Sequence, residues 1–442
     1  MTNPNQKLSK KAFTRRQFVS GLGATVAVGA VGGWAINTFG ANPTNVTTTG
    51  APFVTTTTAG ALTPTTTLAP RIDRTLVVVE MGGGNDALNT FIPYSTDTYF
   101  DLRRDMAIDE PLTVDAELGL HPSLAFVAQR YATGQVAIVE GVGYPSPDLS
   151  HFASMATWWS GSPAGMTGTG WLGRYLDGTV GAGDPLAGIA VGPGVSPAML
   201  AASATVIGLQ DMSGLSPTLP RWVDTTDELM AMWGQFAPAP FDDTVVIDRV
   251  RAAIATTVEA GETVDSILGA ADSVETEERT GGASSLGESM RVAAALVVGP
   301  IPPRVIYVHG WGDFDTHKDQ ANRQTELLMQ LDVALQSFFA TVDAAGRGAN
   351  VAVMTTSEFG RRAGWNGSGT DHGTASSHMI VGGGVNGGRY GEQASLTNLD
   401  NRGNVLNTLD TRSYYASVLG GWLKADHETL LAGSYEILPM FA

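Results

Sequence analysis

Short apolar runs recur along the chain, and each empties into a loop rich in glycine or in acids. Thr75–Val79, Val136–Val139, Arg304–Val308 and Val351–Thr356 are of strand length and largely β-branched, which predicts buried strands of a sheet. A further apolar run, His378–Val381, leads into the turn GGGV. Between the runs the period lengthens to that of a helix: near Leu118–Tyr131, from Ser150 through Trp159, and along Leu327, Leu331, Leu335, Phe338 and Val342, which would pack on the sheet. From about 195 to 298 the composition shifts. Acids crowd Asp224–Glu228 and Glu275–Glu278, and helical patterning over Val245–Leu268 and Leu286–Val298 predicts a mainly helical insertion that shapes access to a site.

The 442 residues suffice for two or three domains, or for one large α/β domain with insertions. The first forty residues read differently. No acid precedes Asp73, and Lys7, Lys10, Lys11, Arg15 and Arg16 lead into a weakly apolar segment from about Gly21 to Trp34. Thr14–Val19 (TRRQFV) is a twin-arginine pattern, so residues 1–40 are expected to be an export signal handled by the twin-arginine machinery. No A-x-A site follows, which leaves cleavage open beside retention as an amino-terminal membrane anchor. Residues 41–70 are dominated by Thr with Pro, Gly and Ala and carry no charge, a composition too poor in burial to order itself. The folded domain is then 71–442.

Net charge is −17, which argues against nucleic acid as a partner, since phosphate backbones need Lys and Arg to displace counterions. There is no cysteine, so disulfides and thiolate metal sites are excluded. Carboxylate, imidazole, hydroxyl and backbone oxygen remain as ligands, a set suited to hard or borderline divalent cations.

Candidate chemistry sits where the strands end, the place at which open α/β sheets keep their ligands. After Thr75–Val79 comes EMGGGND (Glu80–Asp86). Its glycines allow a sharp turn with open N–H groups, and Asp86 is either a metal-binding carboxylate or a turn and capping residue. In DLSHF (Asp148–Phe152), Ser150 is either the cap of the following helix or a nucleophile toward phosphorus or sulfur, with helix dipole and free N–H groups favouring the anion. His151 can ligate, donate a proton or pack. Trp158, Trp159 and Trp171 read as core or pocket wall. Arg304–Val308 runs into HGWGDFDTH (His309–His317), the densest set of ligands, where Asp315 and His317 can address one cation. Val351–Thr356 delivers Ser357 and Glu358, and a glycine-rich excursion presents Asp371 and His372, either as a metal or phosphoryl site or as a solvated loop with a capping Asp. His151, His309, His317, His372 and His378 fall in these loops; His121 and His427 do not.

Taken in order, GGGNDALN, SHF before a tryptophan-containing helix, DTH after a strand, SEFGRR and GTDHGTASSHMIVGGGV resemble the domain of unknown function 1501 family, exported bacterial proteins grouped with the alkaline phosphatase/sulfatase superfamily. The resemblance spans about Leu76 to Leu423 outside the insertion. It implies an alkaline phosphatase-like, three-layer α/β/α sandwich around a mixed sheet, with metals at the carboxyl ends of the strands. It further implies that Asp86 binds metal, that Ser150 supplies the nucleophilic hydroxyl, that Asp313 or Asp315 with His317 holds the metal nearer the attacking water, and that His372 is the late histidine of that same site. Glu358 stands where the superfamily has an Asp-His pair, but its neighbour is Phe359, which removes one ligand from one metal position; Asp371 beside His372 is a candidate substitute. No Cys/Ser-x-Pro-x-Arg surrounds a candidate nucleophile, so formylglycine chemistry is not expected.

The expectation is an exported hydrolase of phosphate or sulfate esters, small or polymeric, in the periplasm, the cell envelope or outside the cell. Its one or two divalent cations, zinc ahead of manganese or calcium, would be held by residues drawn from Asp86, Asp313, Asp315, His317, Glu358, Asp371 and His372. Ser150 and His151 would be catalytic, and Arg361 or Arg362 would hold a non-bridging oxygen. The rival expectation is an envelope protein that keeps the fold and binds a partner or glycan without turnover.

Overall fold

In this computed structural model the apolar runs are strands, and they pair. In chain order the strands are β1 (Thr75–Glu80), β2 (Phe91–Ile92), β3 (Leu112–Thr113), β4 (Gly119–Leu120), β5 (Val136–Gly143), β6 (Gly188–Val191), β7 (Ile207–Leu209), β8 (Val305–Val308), β9 (Val351–Thr356), β10 (Ser376–Val381), β11 (Gly388–Gly391) and β12 (Leu409–Asp410). The structure describes residues 73–441 apart from 167, 182, 213, 215–224, 226–259 and 272–284. The twin-arginine segment and the Thr-rich linker lie outside the described residues, as does most of the helical patterning over 245–268.

The main sheet runs β11-β5-β10-β9-β1-β8-β6-β7, with β12 also beside β5. β1 lies at its centre, parallel to β8 and β9, with Val77 opposite Ile306 and Val353. β10 is antiparallel to both β9 and β5. The ends of β1, β5, β8 and β9 therefore share one edge of the sheet, and β10 starts at that same edge.

Alternation along β1 divides the core in two. Val77 and Val79 face a layer that includes Leu296 of the Ser285–Val298 helix and Leu331, Leu335 and Phe338 of the Gln320–Ala344 helix. Leu76 and Val78 face the other layer, with Trp158, Trp171, Tyr175 and Tyr415. Each such side chain contributes roughly 1.5–3 kcal/mol when taken out of water, so helices are held on both faces and the three-layer α/β/α sandwich follows. Seven of these strands escaped the sequence pattern: β2, β3, β4, β6, β7, β11 and β12. β6 and β7 are three or four residues of GIAV and IGL, too short to show a period. Through β7 the main sheet itself extends into the stretch expected to be a helical insertion. No helix among the described residues is long and apolar enough to cross a membrane.

Candidate metal centre

Loops after β5, β8 and β9 build the site. The loop after β5 enters the His151–Ser160 helix, the loop after β8 carries Asp315 and His317, and the excursion between β9 and β10 carries Glu358, Arg361, Asp371 and His372. Because β10 returns against β9, that excursion leaves and re-enters at one edge and folds on itself. Arg361 and His372 form a β-bridge, and the Arg362 N–H donates to the Asp371 carbonyl at 2.9 Å.

Three imidazoles meet there, each with Nδ1 committed. His372 Nδ1 lies 2.8 Å from the Leu149 carbonyl oxygen. His151 Nδ1 lies 2.8 Å from Glu358 Oε1, and His317 Nδ1 lies 3.2 Å from Asp371 Oδ1. A carbonyl or a carboxylate only accepts, so in each neutral ring the proton belongs on Nδ1 and Nε2 keeps its lone pair. Those Nε2 atoms converge on Asp315. His317 and His372 Nε2 are 2.9 Å apart, each is 3.0 Å from Asp315 Oδ1, and His151 Nε2 is 3.5 Å from Asp315 Oδ2. The donor atoms of His151, Asp315 and His372 all lie within 4.8 Å of one another.

Four Lewis bases at these separations repel unless a cation lies among them. A proton on one ring would serve, and the Glu358 hydrogen bond does raise the His151 pKa above its ordinary value. A divalent cation would serve as well, and His151, Asp315 and His372 are the three residues whose donor atoms stand close enough together to share one, with His317 Nε2 beside them. Donor atoms around a tetrahedral zinc, at about 2.0–2.1 Å from the ion, stand roughly 3.3 Å from each other. Burial alone would raise the Asp315 carboxyl, but the hydrogen bond and charge of Arg361 beside it outweigh burial and its pKa is brought down to about 2. Asp371 is lowered in the same way, burial being outweighed by Asn366 and His317. Both carboxylates are thus ionised at neutral pH.

Several residues expected as ligands do something else. Glu358 orients His151 rather than facing the cluster, and its Oε1 also accepts the Gly83 N–H at 2.8 Å. The Gly83 N–H is therefore not open to an anion. Gly83 has φ +110°, and a Cβ there would stand 2.4 Å from the Asp315 nitrogen, so the turn must be glycine for the loops to touch. Asp86 is not in the cluster. It caps the Ala87–Thr90 turn, its carboxylate is bound by both terminal nitrogens of buried Arg103, and the Gln320 amide donates to it as well. Asp313 is 71% exposed and pairs with Arg323 at 3.1 Å; of the two aspartates in that loop, Asp315 is the one that enters the site.

Arg361 is also reassigned. Its guanidinium is fully buried and donates to the carbonyls of Gly83, Gly84, Phe314 and Thr370 and to Asp315 Oδ1 at 2.7 Å, which clamps three loops and leaves nothing to offer a substrate. Ser150 precedes the His151–Ser160 helix, is exposed, and makes no side-chain cap bond. His309 is held at the Gly194 carbonyl, and His378 is buried between Trp158 and Tyr414. Phe359, the residue where the superfamily pattern has histidine, forms a wall 5.0 Å from the His151 ring and 4.5 Å from His372. Sequence reasoning missed Arg103 and Gln320. Gln320 and Gln324, one turn apart and both buried at the start of a mainly apolar helix face, were the available signal.

The family described as "Protein of unknown function (DUF1501)" matches residues 73–428. No curated protein matches the sequence. Among solved structures, Ps i-CgsB in complex with k-i-k-neocarrahexaose is similar at 9% identity and TM-score 0.36, covering 82% of this chain and 73% of that one. A protein in the alkaline phosphatase superfamily from Vibrio parahaemolyticus is similar at 8% identity and TM-score 0.35, over 81% and 69% of the two chains. The PsFucS1 sulfatase from Pseudoalteromonas sp. is similar at 13% identity and TM-score 0.35, over 83% and 70%.

Proposed function

The chain belongs to the DUF1501 family, and from that premise we propose that it is a metal-dependent hydrolase of phosphate or sulfate esters, acting with one divalent cation at the carboxyl edge of its sheet. The observation that carries this reading is the convergence of three Nε2 atoms on the Asp315 carboxylate. His151, Asp315, His317 and His372 would hold the ion, and imidazole with carboxylate suits zinc first. A cation bound there supplies Lewis acidity toward an ester oxygen. Glu358, Asp371 and the Leu149 carbonyl keep the rings aimed, and Arg361 fixes Asp315. Ser150 would be the attacking hydroxyl: it adjoins His151, its side chain is not engaged in capping, and the helix start would favour negative charge beside it. One ion rather than two fits the side chains, because Asp86 is occupied by Arg103 and Glu358 by His151. Export by the twin-arginine route is part of the same proposal and rests on the sequence of residues 14–19.

A second reading has its own observation. With His317 added to His151, Asp315 and His372 the shell would be closed by four protein donors, as in structural zinc sites, whereas catalytic sites keep one position open. That would make the centre a brace in a binding protein. The deciding experiment loads zinc into the purified protein, measures metal per chain, and assays aryl phosphate and aryl sulfate esters beside Ser150→Ala and His317→Ala. Ester cleavage that chelator abolishes and Ser150→Ala reduces supports the hydrolase. Tight zinc without cleavage of either ester class supports the brace, and no zinc uptake defeats both.

A further inference from the structure

The donors proposed to share an ion come from loops far apart in the chain. His317 lies in the loop after β8 and His372 in the excursion between β9 and β10, yet their Nε2 atoms stand 2.9 Å apart. Loops are costly to order, so contacts between these two must hold that separation. One contact is direct. His317 Nδ1 lies 3.2 Å from Asp371 Oδ1, but the two side chains are 39% and 43% exposed, and ion pairs open to solvent contribute little. The stronger tie is buried.

Gln320 follows His317 by three residues, and Thr370 precedes His372 by two. Both are wholly buried, and the Thr370 hydroxyl donates to Gln320 Oε1 at 2.6 Å. The direction of that bond is fixed. Gln320 Nε2 donates to the Asp86 carboxylate and to Gln324 Oε1, the latter at 3.2 Å, so the carbonyl end of the amide faces Thr370 and the hydroxyl must supply the proton. Gln324 is anchored in turn by donating to the Asp86 carbonyl at 2.8 Å, which keeps the Gln320 amide this way round without relying on the Asp86 charge. The backbone follows the same seam. The Gln320 N–H donates to the Ser368 carbonyl at 3.1 Å, and Arg361 Nη1 donates to the Thr370 carbonyl at 2.9 Å. A Cβ at Gly369 would stand 2.2 Å from the Thr316 carbonyl oxygen, so the excursion lies directly on the backbone that carries His317.

We propose that Thr370 and Gln320 are positioning residues of the centre, their buried hydrogen bond holding the loop of His317 against the loop of His372 and thereby setting the affinity for zinc. This deepens the metal-centre reading above and rests on it. Neither side chain supplies a donor atom to the ion; each acts through the loop it belongs to. Removing the hydroxyl leaves Gln320 Oε1 buried without a donor, a cost that the chain relieves by letting the two loops part, and the ligand atoms part with them.

The test measures zinc affinity by competition with a chromophoric chelator for the wild type, Thr370→Val, Thr370→Ser, Gln320→Met and the Thr370→Val/Gln320→Met double variant. The urea midpoint of each zinc-free protein is taken alongside. Thr370→Val keeps the volume and removes the donor, and Thr370→Ser keeps the donor. The expected result is an affinity about 10–100-fold weaker in Thr370→Val and in Gln320→Met, and close to wild type in Thr370→Ser. The double variant should lose about as much as either single one, because the same bond is missing from all three. A lowered midpoint with unchanged zinc affinity in Thr370→Val makes the bond a general brace and overturns the proposal. So does a loss in Thr370→Ser as large as in Thr370→Val, or a double variant in which the two losses multiply. If Thr370→Val does not fold, Gln320→Met against the wild type decides by the same criterion. A wild type that takes up no zinc defeats the metal-centre reading and this inference with it. That failure is read from the wild type alone, so it is distinct from a loss confined to the variants.

Discussion

Replacing Asp86 by Asn separates a structural carboxylate from a metal ligand. Asp86 and Arg103 are 1% and 0% exposed, and the aspartate also accepts the Leu88 N–H at 3.1 Å and the Gln320 amide. Asn keeps the shape and removes the charge, which leaves the Arg103 guanidinium buried without its counterion. Breaking a buried pair from one side costs about 3–5 kcal/mol, a large share of a typical domain stability of roughly 5–15 kcal/mol. The partner substitution, Arg103→Met, removes the stranded charge and fills the same space. The double variant Asp86→Asn/Arg103→Met should therefore recover most of what the single one loses, because an apolar replacement of a whole buried pair is often close to neutral. The assay is urea unfolding followed by tryptophan fluorescence, with zinc per chain measured before denaturation. The reasoning predicts a lower midpoint at unchanged slope and unchanged zinc for Asp86→Asn. An unaltered midpoint together with loss of zinc would show that Asp86 holds the ion after all and would refute the placement described here.

Two further outcomes are expected. Glu358→Gln keeps an acceptor for the Gly83 N–H but removes the negative charge that fixes His151, and should weaken zinc binding about 10–100-fold in competition with a chromophoric chelator; an unchanged affinity would count against Glu358 as the residue that aims His151. Stability should fall as the medium is acidified below about pH 6.5, because burial lowers the His378 pKa from 6.5 to about 3, so the unfolded chain takes up a proton that the native state refuses. The sign follows from the depressed folded value: the penalty is absent above 6.5 and grows until about 3, and at pH 5 it amounts to about 2 kcal/mol. His121, brought down to about 4 by burial, acts in the same direction. His378→Gln should flatten the dependence between pH 7 and 5, and an equally steep curve in that variant would remove His378 from the explanation.

The strand ends were legible because a buried strand announces itself by composition, and a ligand-bearing loop must follow it. Val351–Thr356 has the same limits in the sequence reading and in the structure. That His151, His317 and His372 would stand near one another was readable from their places in loops after apolar runs, although His151 was expected as a catalytic group and not among the ligands. What the sequence hid was partnership. Nothing local to Asp86 reveals that Arg103, 17 positions on, takes its charge. Arg361 and Arg362 look interchangeable as letters; only the antiparallel return of β10 decides which one turns into the protein. Glu358 has the chemistry of a ligand, and a backbone N–H from the Gly83 turn, remote in the chain, helps to hold it instead against His151.

The three rings are aimed by the protein and not by an ion. A backbone carbonyl holds His372, and two carboxylates on separate loops hold His151 and His317. In small zinc modules the metal organises the chain, and removing it erases the fold. Here part of the orientational cost is met during folding, by Nδ1 contacts that do not pass through an ion. The consequence is reversibility. An ion bound as proposed would be able to leave through partly exposed donors without dismantling the sheet, so metal supply would set the occupancy of the proposed centre and not the survival of the fold.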